Sequence, residues 1–216
     1  MSGARPGYIV VEGPVGVGKT SLARRLADSF ESDLLLEGAE ENPFLERFYQ
    51  DPRAGALPAQ LFFLFQRARQ IENMRQADMF QPVRVSDFLI EKDRLFAELT
   101  LDPEELKLYE QVYTHVTVDA PVPDLVIYLQ APVDILLKRI ARRGIRYERR
   151  IDASYLQRLS EAYARMFLYY DAAPLLIVNA ANINLVDSEA DYAALLEQIH
   201  MTRKGVQYFN PMSEAI

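Results

Sequence analysis

The sequence predicts an α/β protein: a five-stranded parallel sheet flanked by helices. Three observations carry the prediction. Short apolar runs alternate along the chain with longer segments of helical periodicity. The first run, YIVVE, is a continuous stretch of the kind buried on both faces. A glycine-rich turn and a helical segment follow it directly, the order in which a chain cradles phosphate.

Strands are expected at Tyr8–Glu12, Leu34–Leu36, Val83–Ser86, Leu125–Leu129 and Leu175–Val178. Between them lie the helices. Thr20–Phe30 places Leu22, Ala23, Leu26 and Phe30 on one side. Leu61–Met74 carries a stripe of Leu61, Leu64, Phe65, Ala68, Ile71 and Met74. Pro103–Val116 begins behind Asp102, a side chain suited to capping a helix whose first residue is proline. Pro132–Arg143 also starts on proline and ends in basic residues, which complements the helix dipole. Ala153–Tyr170 and Ala190–His200 complete the set. In such a sheet ligands sit at the carboxyl ends of the strands, so polar residues just beyond each strand are the candidates for chemistry.

The chain of 216 residues fits one domain, 1–216, with an ample core. It has no cysteine, which excludes disulfides and thiolate metal sites. No apolar run approaches the ~20 residues of a membrane span, and the amino-terminal residues lack a signal-peptide pattern. A cytoplasmic protein with no membrane partner is expected. The net charge of -7 argues against a nucleic-acid partner. Within this acidic chain, ARRGIRYERR at 141–150 is five-tenths arginine.

The turn after the first strand reads GPVGVGKTS, residues 13–21, and matches G-x-x-x-x-G-K-T. Glycines let successive N–H groups point inward, and the following helix aims its positive end at the same place. Gly13, Val15, Gly16, Gly18, Lys19, Thr20 and Ser21 are the candidate phosphate-binding positions. Lys19 suits the β- and γ-phosphates of a nucleoside triphosphate, and the Thr20 hydroxyl suits Mg²⁺.

Glu37 closes the second strand. A carboxylate there can take a proton from an attacking hydroxyl; Glu37, Glu40 and Glu41 read equally as a solvated acidic turn. Gln60 and Arg67 share one side of a helix, and an amide suits the edge of a base. Phe44, Phe48, Tyr49, Phe62, Phe63 and Phe65 supply rings for stacking or for the core. Asp87 follows the third strand, where an acid serves Mg²⁺ or its waters; Ser86 or Asp87 could instead cap the segment FLIEKDRLFAEL. Asn182 and Asn184 follow the fifth strand and either line a donor base or cap a loop. His115 and His200 lack metal-ligand spacing and are read as structural.

EGPVGVGKTS, ENPFLERFYQDP, PAQLFFLFQRARQ, VSDFLIEKDRLFAEL and KRIARRGIRYERRID occur in an order that resembles the deoxynucleoside kinases, across roughly residues 8–170. ENPFL and SDF are similar to the bacterial deoxyadenosine/deoxyguanosine kinase branch. The resemblance implies a P-loop kinase fold with a short arginine-rich lid at about 141–152. It implies ATP or another triphosphate as donor, Mg²⁺, transfer to the 5'-hydroxyl of a deoxynucleoside in nucleotide salvage, and a homodimer. Glu37 matches the general base, Gln60 the amide that reads the base, and Arg67 the arginine beside it. Tyr49 and Glu148 match the pair that holds the sugar 3'-hydroxyl. Arg139 and Arg143 match lid arginines that contact phosphates, and Arg143 joins Glu37 and Lys19 as a catalytic candidate.

Two departures stand out. Members commonly place arginine after the acid of the third strand, where this chain has Phe88; Lys92 and Arg94 are the candidates to replace it. The lid commonly reads R-G-R, where this chain has Arg143, Gly144 and Ile145, with Arg146 as the candidate substitute. Arg149 and Arg150 read as solvated surface. Other readings are a nucleoside monophosphate kinase of thymidylate type, opposed by the few basic residues on the acceptor side, and an inactive nucleotide-binding subunit, opposed by the intact Lys19, Thr20 and Glu37.

Overall fold

The computed structural model describes residues 7–76, 83–116, 120–185 and 188–211. Its strands are β1 (Tyr8–Glu12), β2 (Asp33–Leu35), β3 (Arg84–Ser86), β4 (Leu125–Gln130), β5 (Leu175–Asn179) and β6 (Val206–Phe209). All pair in parallel, in the order β2-β3-β1-β4-β5-β6. The expectation of five strands therefore falls one short. β6 is four residues long and only half-covered on alternate positions, so it shows no apolar run.

The helices are α1 (Lys19–Phe30), α2 (Leu45–Gln50), α3 (Pro52–Gln76), α4 (Lys92–Thr100), α5 (Pro103–Val116), α6 (Val133–Arg143), α7 (Ala153–Leu168) and α8 (Glu189–Met201). Asp102 caps α5 as expected, its Oδ1 accepting from the N–H groups of Glu104 at 3.0 Å and Glu105 at 2.9 Å. α3 begins nine residues before the expected Leu61 and runs through Pro58. An interior proline removes one helical hydrogen bond and normally ends the pattern. Here the first turns are held from outside, because Gly55 lets α2 lie directly on α3. The 3₁₀ turn Ala39–Glu41 and the short α2 fill the stretch between β2 and α3.

Period-two alternation sends each central strand's side chains to two different cores. Ile9, Val11, Leu125, Ile127, Leu129, Leu176 and Val178 pack on one face with α1, α6 and α8. Val10, Val126, Tyr128 and Leu175 pack on the other with Leu95, Leu159, Tyr163 and Phe167. Burial on both faces is why these strands read as unbroken apolar runs. The chain leaves β1 toward β2 on one side and later crosses to β4 on the other. Ligand clefts form beyond the carboxyl ends of strands at such a reversal. The ends of β1, β2 and β3 bring together Gly13, Glu37 and Asp87.

Candidate active site

The loop after β1 is built for backbone donors. Gly13 has φ +145°, and a Cβ there would lie 2.4 Å from the Leu129 carbonyl oxygen of β4, so only glycine fits. α1 starts at Lys19 with no side-chain cap, which leaves its first N–H groups facing the loop. The Lys19 ammonium donates to the loop carbonyls of Gly13 at 2.8 Å and Pro14 at 3.3 Å. Burial pushes Lys19 down to about 8; neighbouring Lys92 adds to the fall, and Glu12 and Asp87 oppose it.

Asp87 grips both sides of the cleft. Its Oδ2 accepts from the Thr20 hydroxyl at 2.5 Å, and its Oδ1 accepts from the Glu37 N–H at 2.8 Å. It does not cap a helix: the Ser86 hydroxyl takes the turn, accepting from the Phe88 N–H at 3.1 Å, and α4 starts only at Lys92. The Thr20 hydroxyl and Asp87 carboxylate are adjacent hard oxygens, the donor type Mg²⁺ prefers, and suit an ion completed by waters and phosphate oxygens.

The Glu37 carboxylate is not part of a solvated turn. Its Oε1 accepts from Arg67 and from the Lys92 ammonium, the latter at 3.1 Å, and its side chain is 18% exposed. Arg67 also pairs with the fully buried Asp93. Burial lowers Arg67 to about 10, still far above neutrality. Lys92 is itself buried and reaches Glu12 Oε1 at 3.2 Å. Of the two candidates for the arginine missing after Asp87, Lys92 therefore lies in the site. Arg94 is 60% exposed and pairs with Glu98 and Glu110 on the surface.

A cavity of about 220 Å³ opens between the phosphate loop, α2, α3 and the lid segment. Val15, Gly16, Gly18, Lys19, Thr20, Ser21, Glu37, Tyr49, Gln60, Arg67, Asp87, Arg143 and Glu148 all line it. Gln60 is buried and donates to the Thr100 hydroxyl at 3.2 Å. Of the expected rings, Phe48, Tyr49 and Phe63 line the cavity, whereas Phe44 meets Phe62 edge-on and Phe65 is 53% exposed. Burial raises the Tyr49 hydroxyl well above its ordinary range, with Tyr155 and Glu148 adding to the effect.

The segment expected to form the lid, about 141–152, is anchored at several points. Gly144, at φ +74°, ends α6, and a 3₁₀ turn spans Tyr147–Arg150. Ile151 is buried in the main core, and Tyr147 stacks on Tyr49 with ring centroids 5.8 Å apart and planes at 10°. The Arg143 guanidinium forks onto the buried Glu148, at 3.0 Å from Nε and 2.5 Å from Nη2. This joins the proposed phosphate and sugar contacts in one ion pair. Arg146 is exposed and is absent from the linings of both clefts described here; Ile145 takes a place in the first. Arg149 and Arg150 are exposed, as expected.

A second cleft adjoins the other side of the loop, lined by Gly16, Gly18, Ser21, Arg139, Arg142, Arg143, Asn182 and Asn184, among others. Arg139 lines it but has two donors committed to backbone, Nη1 to the Val17 carbonyl at 3.1 Å and Nη2 to the Ala180 carbonyl at 2.7 Å. It braces the loop against the chain after β5. Both histidines lie outside these clefts: His115 bonds the Gln111 carbonyl at 2.7 Å, and His200 meets Phe30 edge-on.

Several contributors escaped the sequence reading. Arg24, Phe96, Tyr147 and Tyr155 line the first cavity, and Asp93 pairs with Arg67. Glu12 is 0% exposed and accepts from the Gly13 N–H at 2.9 Å, the Leu89 N–H at 2.8 Å and the Tyr163 hydroxyl at 3.0 Å. Its one sequence signal was an acid ending an otherwise apolar strand.

A parallel sheet, a phosphate loop with its lysine and threonine, and a carboxylate facing it across one cleft define a kinase of the phosphate-loop class. The model of the deoxynucleoside kinase family matches residues 9–203. A deoxyguanosine kinase of Bacillus subtilis is 39% identical over 160 residues, covering 72% of this chain and 76% of its own. A deoxyadenosine kinase of Lactobacillus acidophilus is 31% identical over 205 residues, covering 88% and 94%. The structure of deoxyadenosine kinase from M. mycoides with bound dATP superposes with a TM-score of 0.75 at 23% identity, over 89% of this chain and 98% of that one. The chain belongs to the deoxynucleoside kinase family.

Proposed function

We propose that this kinase moves the γ-phosphoryl group of ATP to the 5'-hydroxyl of a purine deoxynucleoside, in nucleotide salvage. The observation that carries the reading is the double grip of Asp87. One carboxylate holds Thr20 of the donor loop and the backbone of Glu37 on the acceptor side. Donor and acceptor machinery are thus set side by side. Deoxyguanosine and deoxyadenosine kinases among the relatives support a purine acceptor.

In this reading the triphosphate lies along the loop amides and Lys19, with its base in the cleft beside Asn182 and Asn184. The acceptor base meets Gln60, and the sugar 3'-hydroxyl meets Tyr49 and Glu148. The acceptor oxygen bonds to the γ-phosphorus as the bond to the β-phosphate oxygen breaks, and the proton passes to Glu37. Arg143 neutralises charge on the transferred group. Thr20 and Asp87 would hold Mg²⁺, which would supply charge neutralisation to the triphosphate. Arg67 is engaged by Glu37 and Asp93, which favours a neutral nucleoside over a monophosphate at the acceptor side.

A cytoplasmic homodimer is part of the proposal. A groove between α4 and α7 is lined by Leu95, Leu99, Ala162 and Met166 together with Glu91, Arg94, Glu98 and Arg165. The test is Glu37→Gln with the four natural deoxynucleosides, ATP and Mg²⁺. Turnover should fall by roughly 10²–10⁴-fold while ATP binding is retained. Near-normal turnover overturns the assignment of the base.

A further inference from the structure

We propose that Lys92 is a positioning residue for the transfer step: anchored by the buried Glu12, it holds Glu37 by one carboxylate oxygen and leaves the other for the acceptor hydroxyl. The inference rests on the reading of Glu37 as the base. It starts from where the donors fall. Arg67 and Lys92 both donate to Oε1 of Glu37. Oε2 has no protein partner among the described residues, and the side chain opens on the acceptor cavity. A carboxylate pinned at one oxygen from two directions cannot rotate, so the free oxygen keeps a fixed aim.

Lys92 is in turn fixed. Its side chain is 1% exposed, and Glu12 holds it at 3.2 Å. Glu12 is itself immobilised by the Gly13 N–H, the Leu89 N–H and the Tyr163 hydroxyl. A continuous path therefore runs from the first amide of the phosphate loop, through Glu12 and Lys92, to the base. A role in stability alone explains this poorly. A buried ion pair is weak support for a fold, because the cost of removing two charges from water offsets their attraction. Here the pair stands directly behind the cavity wall, with its cation turned toward Glu37, which lines that wall.

Lys92→Met keeps the length and removes the charge. Measured per folded molecule, kcat should fall about 100-fold, the order expected for a base misplaced by an ångström. KM for ATP and for the deoxynucleoside should stay within about threefold, since only the transition-state contact is lost. A kcat within about fivefold of the parent overturns the proposal. Should the single variant not fold, Glu12→Gln/Lys92→Met removes both buried charges and is judged by the same two limits. Glu37→Gln is assayed alongside. If it too turns over normally, the reading of the base fails; if it is dead while Lys92→Met is near normal, only the Lys92 proposal fails.

Discussion

Gly55→Ala should damage acceptor use while sparing ATP. A Cβ at Gly55 would stand 2.4 Å from both Cα and N of Phe48, and 2.8 Å from the Arg47 carbonyl carbon. All three are backbone atoms of α2, so no rotamer relieves the clash. Carbon atoms rest at about 3.5–4.0 Å, so α2 must recede from α3 by roughly 1 Å. α2 carries Tyr49 and α3 carries Gln60, and both line the first cavity, on the side proposed for the acceptor. The second cleft takes no residue from either helix. Overpacking of this kind costs about 1–3 kcal/mol, or roughly 2–12 °C in Tm for a chain of this size. A displacement of an ångström also costs up to about 100-fold in kcat/KM for the acceptor. The assay is steady-state kinetics with the deoxynucleoside varied at saturating ATP, then the reverse, together with a thermal melt. Unchanged acceptor kcat/KM and an unchanged Tm would refute the helix contact on which this reasoning depends.

Two further predictions separate charges the sequence left together. Arg143→Ala should lower kcat by about 10–1000-fold, whereas Arg146→Ala, an exposed side chain outside both clefts, should stay within about twofold; equal losses in steady-state assays would restore Arg146 to the phosphate contacts. Burial holds Lys19 near 8 against an ordinary 10.5. With the folded value depressed, the unfolded chain binds more protons on this group between those values, so its effect on stability grows more favourable as pH rises through that window. A triphosphate beside Lys19 restores the ammonium, so ATP binding at pH 8 should take up a fraction of a proton, up to about half. Calorimetry in two buffers of different ionisation heat measures it, and zero uptake contradicts the burial argument.

The donor side was legible because it is local. Nine consecutive residues hold the loop glycines, Lys19 and Thr20, flanked by the strand and helix that the geometry needs. Glu37 and Asp87 were legible because strand ends in a parallel sheet face the ligand. The links among these residues were not. Glu12 and Lys92 meet across 80 positions of sequence, and only folding shows that a strand-end acid needs that lysine. The choice between Lys92 and Arg94 depended on helix phase: two residues are about 200° apart, so one points into the site and the other to water. β6 had too little apolar signal, and the anchoring of the lid through Tyr147 and Ile151 depends on contacts with α2 and the core that no local pattern announces.

The Arg143–Glu148 fork has a consequence for how the substrates influence each other. In the proposed assignment a phosphate draws on the arginine and a sugar hydroxyl on the glutamate, yet each group already satisfies its neighbour at 2.5–3.0 Å. The first substrate to bind must loosen that pair, and the second meets a partner already released. Such reciprocity makes the two affinities rise together. A Kd measured for either substrate alone would then understate its hold in the ternary complex. The lid would act as a coincidence detector, committing its arginine only when donor and acceptor are both in place.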